Sequence, residues 1–198
     1  MRWRHGLLII GAALMAGGLG LLVSLALYGP GPLLSSRLGQ RLLQHGPASA
    51  EPTGSRIAEL GEPMPPLQLF DLAGRSHTLP RPGRAVLINY WASWCGPCRE
   101  EMPLLAEYSR SARARDPEII GIALDSPESA QEFLTAYPVP FTILIEAPYE
   151  HDSSERVGNR RDVLPFTVLV GADGRLIKRR YGAFDSGEEL SEWAAEAR

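Results

Sequence analysis

Cysteine is almost absent from this chain, with two in 198 residues. A disulfide framework standing in for a hydrophobic core is thereby excluded. A zinc site built on two cysteine pairs is excluded too, because the second pair is missing. Charge of one sign is not in excess either. Lys and Arg together number 20 against 23 Asp and Glu, a formal −3, which leaves no electrostatic footprint for nucleic acid or another polyanion. Covalent haem attachment needs a histidine directly after the second cysteine of a closely spaced pair, and Arg99 stands there instead. His77 and His151 lie far from the cysteines in sequence and read as surface or local packing, so no metal ligand set is expected.

What is present is placement. Both cysteines fall on one turn, Trp94-Cys95-Gly96-Pro97-Cys98, directly after an apolar run. Two thiols at this spacing can close a small ring and reopen it, the chemistry of dithiol–disulfide exchange. A static staple is the bland alternative, but so short a loop gains little from closure entropy. Metal binding by the pair alone is the other. For exchange, Cys95 is the attacking sulfur: it sits between a strand end and a helix start, where unpaired amides converge and favour a thiolate, so its pKa should fall below the free value of about 8.5. Cys98, one turn further in, is placed to resolve a mixed disulfide. Gly96 and Pro97 keep the loop slim on the side a substrate must approach, and Trp94 is expected to shield and frame the sulfurs.

Residues 7–28 form an uncharged run of 22, long enough as a helix to cross about 30 Å of hydrocarbon. Leu25-Ala26-Leu27 is a poor small-x-small cleavage site, which favours an uncleaved anchor over a signal peptide. Arg2 and Arg4 lie closer to the run than Arg37 and Arg41, which favours a short cytoplasmic tail at 1–6 and the bulk of the chain outside. Residues 29–60, with Gly29-Pro30-Gly31-Pro32 at their start, read as a periplasmic linker, and 61–198 as one folded domain.

Within that domain, strands are expected at 67–70, 76–79, 85–91, 118–124, 141–146, 166–170 and 176–181. Helices are expected at 97–115, at 127–136 with Ser126 as cap and Pro127 in the first turn, and at 186–197. Strand–helix alternation closed by a hairpin and a helix implies an α/β fold, a central mixed sheet covered on both faces. Trp91, Tyr90, Phe133, Phe141, Phe166 and Trp193 are assigned to the core. The polar run 150–161 reads as a substrate-facing segment or a plain loop.

The segment Asn89-Tyr90-Trp91-Ala92-Ser93-Trp94-Cys95-Gly96-Pro97-Cys98-Arg99-Glu100-Glu101-Met102-Pro103 resembles the active site of thioredoxin-like proteins, specifically the membrane-anchored TlpA/ResA/DsbE-like branch of bacteria, related to the AhpC/TSA and Redoxin families. The resemblance implies a thioredoxin-like fold behind an N-terminal transmembrane helix. It makes Pro165 the cis-proline facing the cysteines, and Leu164 the residue whose backbone pairs with an extended substrate. Pro140, in a similar local context, is expected to be trans. Pro103 matches the proline that bends the active-site helix. Asn89 stands where thioredoxin keeps a buried aspartate, and Glu101 matches an acidic residue that affects active-site titration, against the alternative of a solvated helix glutamate. Arg99 either favours the thiolate or is solvated.

The same resemblance implies a protein thiol–disulfide oxidoreductase at the bacterial inner membrane, its catalytic domain in the periplasm and its direction mainly reductive, with no cofactor. It would draw electrons from a membrane donor of the DsbD or CcdA type and act on protein disulfides such as those of apocytochrome c or copper-site proteins. The alternatives are a disulfide-donating oxidase and a metal- or apoprotein-binding assembly factor without redox turnover.

Overall fold

Val86–Trp91 (β3) presents no side chain to solvent on either face, the signature of a strand in the middle of a covered sheet. The computed structural model describes residues 57–147 and 152–197 and builds a sheet of seven strands around it. The others are Leu67–Asp71 (β1), Ser76–Leu79 (β2), Glu118–Leu124 (β4), Thr142–Glu146 (β5), Phe166–Val170 (β6) and Leu176–Tyr181 (β7). Their spatial order is β2-β1-β5-β4-β3-β6-β7. β3, β4 and β5 run parallel, whereas β1 pairs antiparallel with β2 and β5, and β6 pairs antiparallel with β3 and β7. This is the thioredoxin-like mixed sheet flanked by helices.

The helices are Gly96–Ser111 (α1), Pro127–Ala136 (α2), Ser153–Arg156 (α3) and Gly187–Ala194 (α4), the last continued by a 3₁₀ turn, Ala195–Ala197. Because β3, β4 and β5 step across the sheet in one direction, their two crossover helices fall on the same face. α1, α2 and α4 accordingly share one core, in which Leu87, Trp91, Cys98, Met102, Leu105, Phe133, Leu190 and Ala194 are buried together. The alternate residues of β3, Val86, Ile88 and Tyr90, face a second core with Ile120, Ile122, Leu144, Phe166 and Val168. That face is closed by the segment around Ala58 and Met64 and by Val157.

Residues 57–60, expected as the end of the linker, are therefore folded against the sheet. Ala58 is buried, its N–H donates to the carbonyl of Arg156 at 2.9 Å, and its own carbonyl accepts from the Arg179 guanidinium. The expected anchor at 7–28, the rest of the linker and His151 lie outside the described residues. Among the described residues no helix is long and apolar enough to cross a membrane.

Most element boundaries follow the sequence, including the Ser126 cap, whose hydroxyl accepts from the N–H of Ser129 at 3.1 Å. α1 differs, ending at Ser111 and not at 115. Asp116 captures the N–H of Arg113 at 2.8 Å, offering the backbone a partner outside the helix, and Pro117 disfavours helical geometry at the residue before it. Phe141 and Trp193, assigned to the core, are only half-buried, packing at its margin.

Gly121, in the middle of β4, is fixed by packing and not by backbone conformation. A Cβ there would lie 2.6 Å from Ile143 Cδ1, 3.1 Å from Trp91 Nε1 and 3.3 Å from Phe141 Cε2. The missing side chain is what makes room for the Trp91 indole between sheet and helices. Gly121→Ala is expected to destabilise the domain by about 1–3 kcal/mol through overpacking, read from chemical denaturation. Unaltered stability would mean that the indole has space to move.

Candidate active site

The cysteines sit where β3 stops and α1 begins. Ala92 accepts the N–H of Cys95 at 3.1 Å, which turns the chain out of the strand. Cys95 is the N-cap of α1, and Pro97 falls in the first turn, where a missing N–H costs nothing. As the cap, Cys95 places its Sγ 3.2 Å from the N–H of Cys98, in the position an aspartate or serine oxygen usually takes. That donor and the aligned peptides behind it face this sulfur, an arrangement that favours negative charge there. Cys95 and Cys98 are joined as a disulfide with their Cα atoms 5.3 Å apart. Both sulfur residues are largely covered, Cys98 more than Cys95.

A neighbouring strand end steadies this turn. Asp125 follows β4, and its carboxylate accepts from the N–H groups of Ser93 at 2.8 Å and Ser126 at 3.1 Å. One buried side chain thus ties the loop before Cys95 to the start of α2. In the sequence Asp125 shows only as a polar residue ending an apolar strand, so its second task is invisible there.

Across from the turn, the Leu164–Pro165 peptide is cis, as is Leu79–Pro80, for which the sequence carries no comparable sign. Pro140 is not among the cis bonds. The Pro165 carbonyl accepts from the N–H of Gly182 at 2.9 Å, fixing the start of β6 against the end of β7. Leu164, Trp94, Cys95, Gly96, Pro97, Leu124, Asp152 and Asp162 line one open groove of about 420 Å³. Every residue assigned to substrate contact from the sequence therefore meets there, along with two carboxylates and Leu124 that were not singled out. Trp94 is 69% exposed and forms the rim of the groove; the shield over the sulfurs is the helical core beneath. Arg99 leans its guanidinium on the rings of Phe133 and Tyr137, 5.9 Å from each centroid.

Glu101 lies one turn beyond Cys98 and is 1% exposed. A solvated helix glutamate, the alternative reading, would face the other way. Its carboxyl accepts from the N–H of Phe184 at 2.9 Å and from the Asn89 amide at 3.1 Å, and that same amide donates to Thr167 Oγ1 at 3.0 Å. Burial is the largest influence on its acidity and, opposed by these donors and by Arg180, pushes it up to about 7. A carboxyl titrating there changes charge within the working pH range of thiols. Asn89, where the resemblance places an aspartate in thioredoxin, is a hydrogen-bond donor to this carboxyl and does not titrate.

Among the described residues no cluster of histidine, cysteine and acidic side chains could hold a metal ion. Residues 59–196 match the family model described as Redoxin. The chain is 31% identical over 130 residues to a thiol-disulfide oxidoreductase ResA of Geobacillus thermodenitrificans, covering 64% of this chain and 71% of that protein. Among solved structures it resembles a secreted disulfide oxidoreductase of Mycobacterium tuberculosis homologous to E. coli DsbE, with TM-score 0.55 and 25% identity, covering 66% of this chain and 95% of that one. It also resembles a thioredoxin-related protein of Neisseria meningitidis serogroup B, with TM-score 0.56 and 27% identity, covering 65% and 97%.

The raised pKa of Glu101 has a defined sign in stability. In the unfolded chain the carboxyl ionises near 4.5, whereas in the fold it holds its proton to about 7. The folded state is therefore favoured by this group at low pH and loses that advantage as pH rises from 4.5 through 7, by up to about 3 kcal/mol. Glu101→Gln is expected to flatten the fall in stability between pH 5 and 8 and to remove an inflection near pH 7 from the rate of disulfide exchange. Parallel profiles for the two proteins would disprove the assignment.

Proposed function

The chain belongs to the Redoxin family and is a thiol–disulfide oxidoreductase; from that premise we propose that it works as a periplasmic, membrane-tethered reductase of protein disulfides. The observation that carries the reading is the Cys95–Cys98 pair at the head of α1, opening into a groove whose opposite wall is Leu164, next to the cis Pro165. An extended substrate segment laid against the Leu164 backbone brings its own sulfur to Cys95.

In the reductive direction, the Cys95 thiolate attacks one sulfur of a substrate disulfide. That bond breaks, the departing sulfur takes a proton from solvent, and a mixed disulfide forms. Cys98 then loses its proton to Glu101 and attacks Cys95 Sγ. The second substrate sulfur leaves and is protonated, Cys95–Cys98 closes, and two electrons have passed to the substrate. A carboxyl with a pKa of about 7 suits the middle step, being ionised in part of the population and able to take up one proton.

Turnover in an oxidising compartment then requires two electrons per cycle from across the membrane. A tether at 7–28 would keep the domain beside a donor of the DsbD or CcdA type and beside membrane-side assembly of cytochrome c or copper sites. The relatives support exchange chemistry and, through the secreted DsbE homologue, a place outside the cytoplasm. The residues that would form the tether and the partners themselves belong to the proposal.

Two measurements test it. Cys98→Ala should accumulate mixed disulfides through Cys95, resolved on non-reducing gels, and Cys95→Ala should not; equal trapping by both would overturn the polarity. The reduction potential of the Cys95–Cys98 couple should fall near about −270 mV and well below −200 mV, whereas a value near about −120 mV would make the protein a disulfide donor.

A further inference from the structure

We propose that Arg180 and Glu189, an ion pair between β7 and α4, are positioning residues for Glu101, and that their two charges set how readily it takes the Cys98 proton. The inference rests on the exchange reading for the origin of that proton, and on the contacts alone for the hold on Glu101.

The sheet leads from Glu101 to Arg180 through a row of neighbouring residues. Asn89 of β3 stands opposite Thr167 of β6, and Thr167 stands opposite Arg180 of β7. Residues directly opposite in antiparallel strands share a face, here the one that α1 and α4 cover. The Asn89 amide spans the first two positions, donating to Glu101 and to Thr167. Arg180 ends the row with most of its side chain covered.

Contacts in the loop between β7 and α4 tie the ion pair to the carboxyl. Arg180 donates to the Ala183 carbonyl at 2.7 Å and lays its guanidinium over the Phe184 ring, 4.4 Å from the centroid. It pairs with Glu189 at 2.6 Å, and the other oxygen of Glu189 accepts the N–H of Asp185 at 2.8 Å. Ala183, Phe184 and Asp185 are thus held in succession by two side chains. The middle residue supplies the N–H that donates to Glu101 at 2.9 Å. Its ring is buried, edge-on to Trp193 at 5.4 Å. In surroundings so largely covered, charges are screened far less than in water.

The charged groups that act on Glu101 from the elements packed against it are Arg180 and Glu189. Arg180 favours the carboxylate, and Glu189 favours the protonated acid. The other neighbours are neutral: the Asn89 amide with Thr167 behind it, and the Phe184 N–H. On α1 itself the titratable neighbour is Cys98, one turn away. Lys178, two residues before Arg180, is taken by Glu196 and the Trp193 ring, and Asp185 and Glu188 are exposed. In the resolving step the Cys98 proton passes to Glu101, Cys98 sulfur bonds to Cys95 Sγ, and the substrate sulfur leaves with the electron pair of the broken bond. That step needs a carboxylate before it and an acid after it, and two charges of opposed effect hold Glu101 between these states.

Holding the loop does not by itself call for charge on Glu189. Ser186 to Glu189 is a capping-box pattern, with Ser186 Oγ accepting from the Glu189 N–H at 3.2 Å, and glutamine serves such a box as glutamate does. Glu189→Gln therefore keeps the loop contacts and removes the anion. Arg180→Gln removes the cation and leaves Glu189 facing Glu101.

The titration of Glu101 is followed in the oxidised full chain, where the cysteines do not titrate, from the infrared carboxyl band that Glu101→Gln abolishes. The midpoint is expected to rise by about 0.5 pH unit or more in Arg180→Gln and to fall by a similar amount in Glu189→Gln. Arg180→Lys, which keeps the charge, should stay near the unaltered protein. A purely structural clamp predicts a different pattern, because breaking one ion pair from either side slackens the same Phe184 donor and raises both midpoints. Shifts of one sign, or none, overturn the proposal, as does an Arg180→Lys midpoint equal to that of Arg180→Gln. Should Arg180→Gln fail to fold, the downward shift in Glu189→Gln decides alone. The pH profile of disulfide reduction is then measured on the same variants, and inflections that move with the infrared midpoints support the proposal. If the midpoints part as expected and the inflections do not follow, the hold on Glu101 stands and the assignment of Glu101 as proton acceptor in exchange falls.

Discussion

The carboxyl group of Glu101 is where the architecture of this domain converges. It projects from α1 into the sheet, takes hydrogen bonds from Asn89 of β3 and from the backbone of Phe184 ahead of α4, and through Asn89 is joined to Thr167 of β6. A buried carboxyl with these partners fixes the rotation of α1 about its axis, because any other rotation would leave the acid and its two donors unpaired in a core that excludes water. That rotation sets where Cys98 points and hence how the two sulfurs meet. The same desolvation that makes the contacts obligatory also keeps the acid from ionising easily. Structure and proton handling here are two aspects of one burial.

Around that node the remaining parts act on the active-site turn from different sides. Asp125 holds the stretch before Cys95, the cap geometry holds Cys95 itself, and Gly182 holds the opposing Pro165. Each contact uses a backbone N–H near the end of a strand. This explains why the site lies at one end of the sheet, where the ladder stops and donors become available. The arrangement leaves Cys95 lining an open groove of about 420 Å³.

Much of this was legible in the sequence because it depends on local rules. The unbroken apolar run of β3 and the Ser126 cap followed by Pro127 each name their own structure. The cysteine spacing named the chemistry in the same way. The cis geometry of Leu164–Pro165 came from resemblance, since an X–Pro dipeptide alone gives little indication of its isomer. What could not be read depends on distant segments meeting. Asp125, Asp152 and Asp162 look alike as single acids in polar stretches, and only the fold gathers them at one groove or loop. The half-burial of Phe141 and Trp193 is of the same kind, because hydrophobicity tells which residues seek a core and not which of them reach its centre.

The clasp at the start of the domain bears on how the fold would take mechanical load. Ala58 and Glu59 are gripped by Arg179 and Arg160, and Pro63 bridges to Arg175 at the head of β7. A pull arriving along the chain ahead of residue 57 is therefore taken up by the edge strand and the far face of the sheet, two strands away from β3. The cysteine turn hangs from β3 and α1 and is not in that line of force.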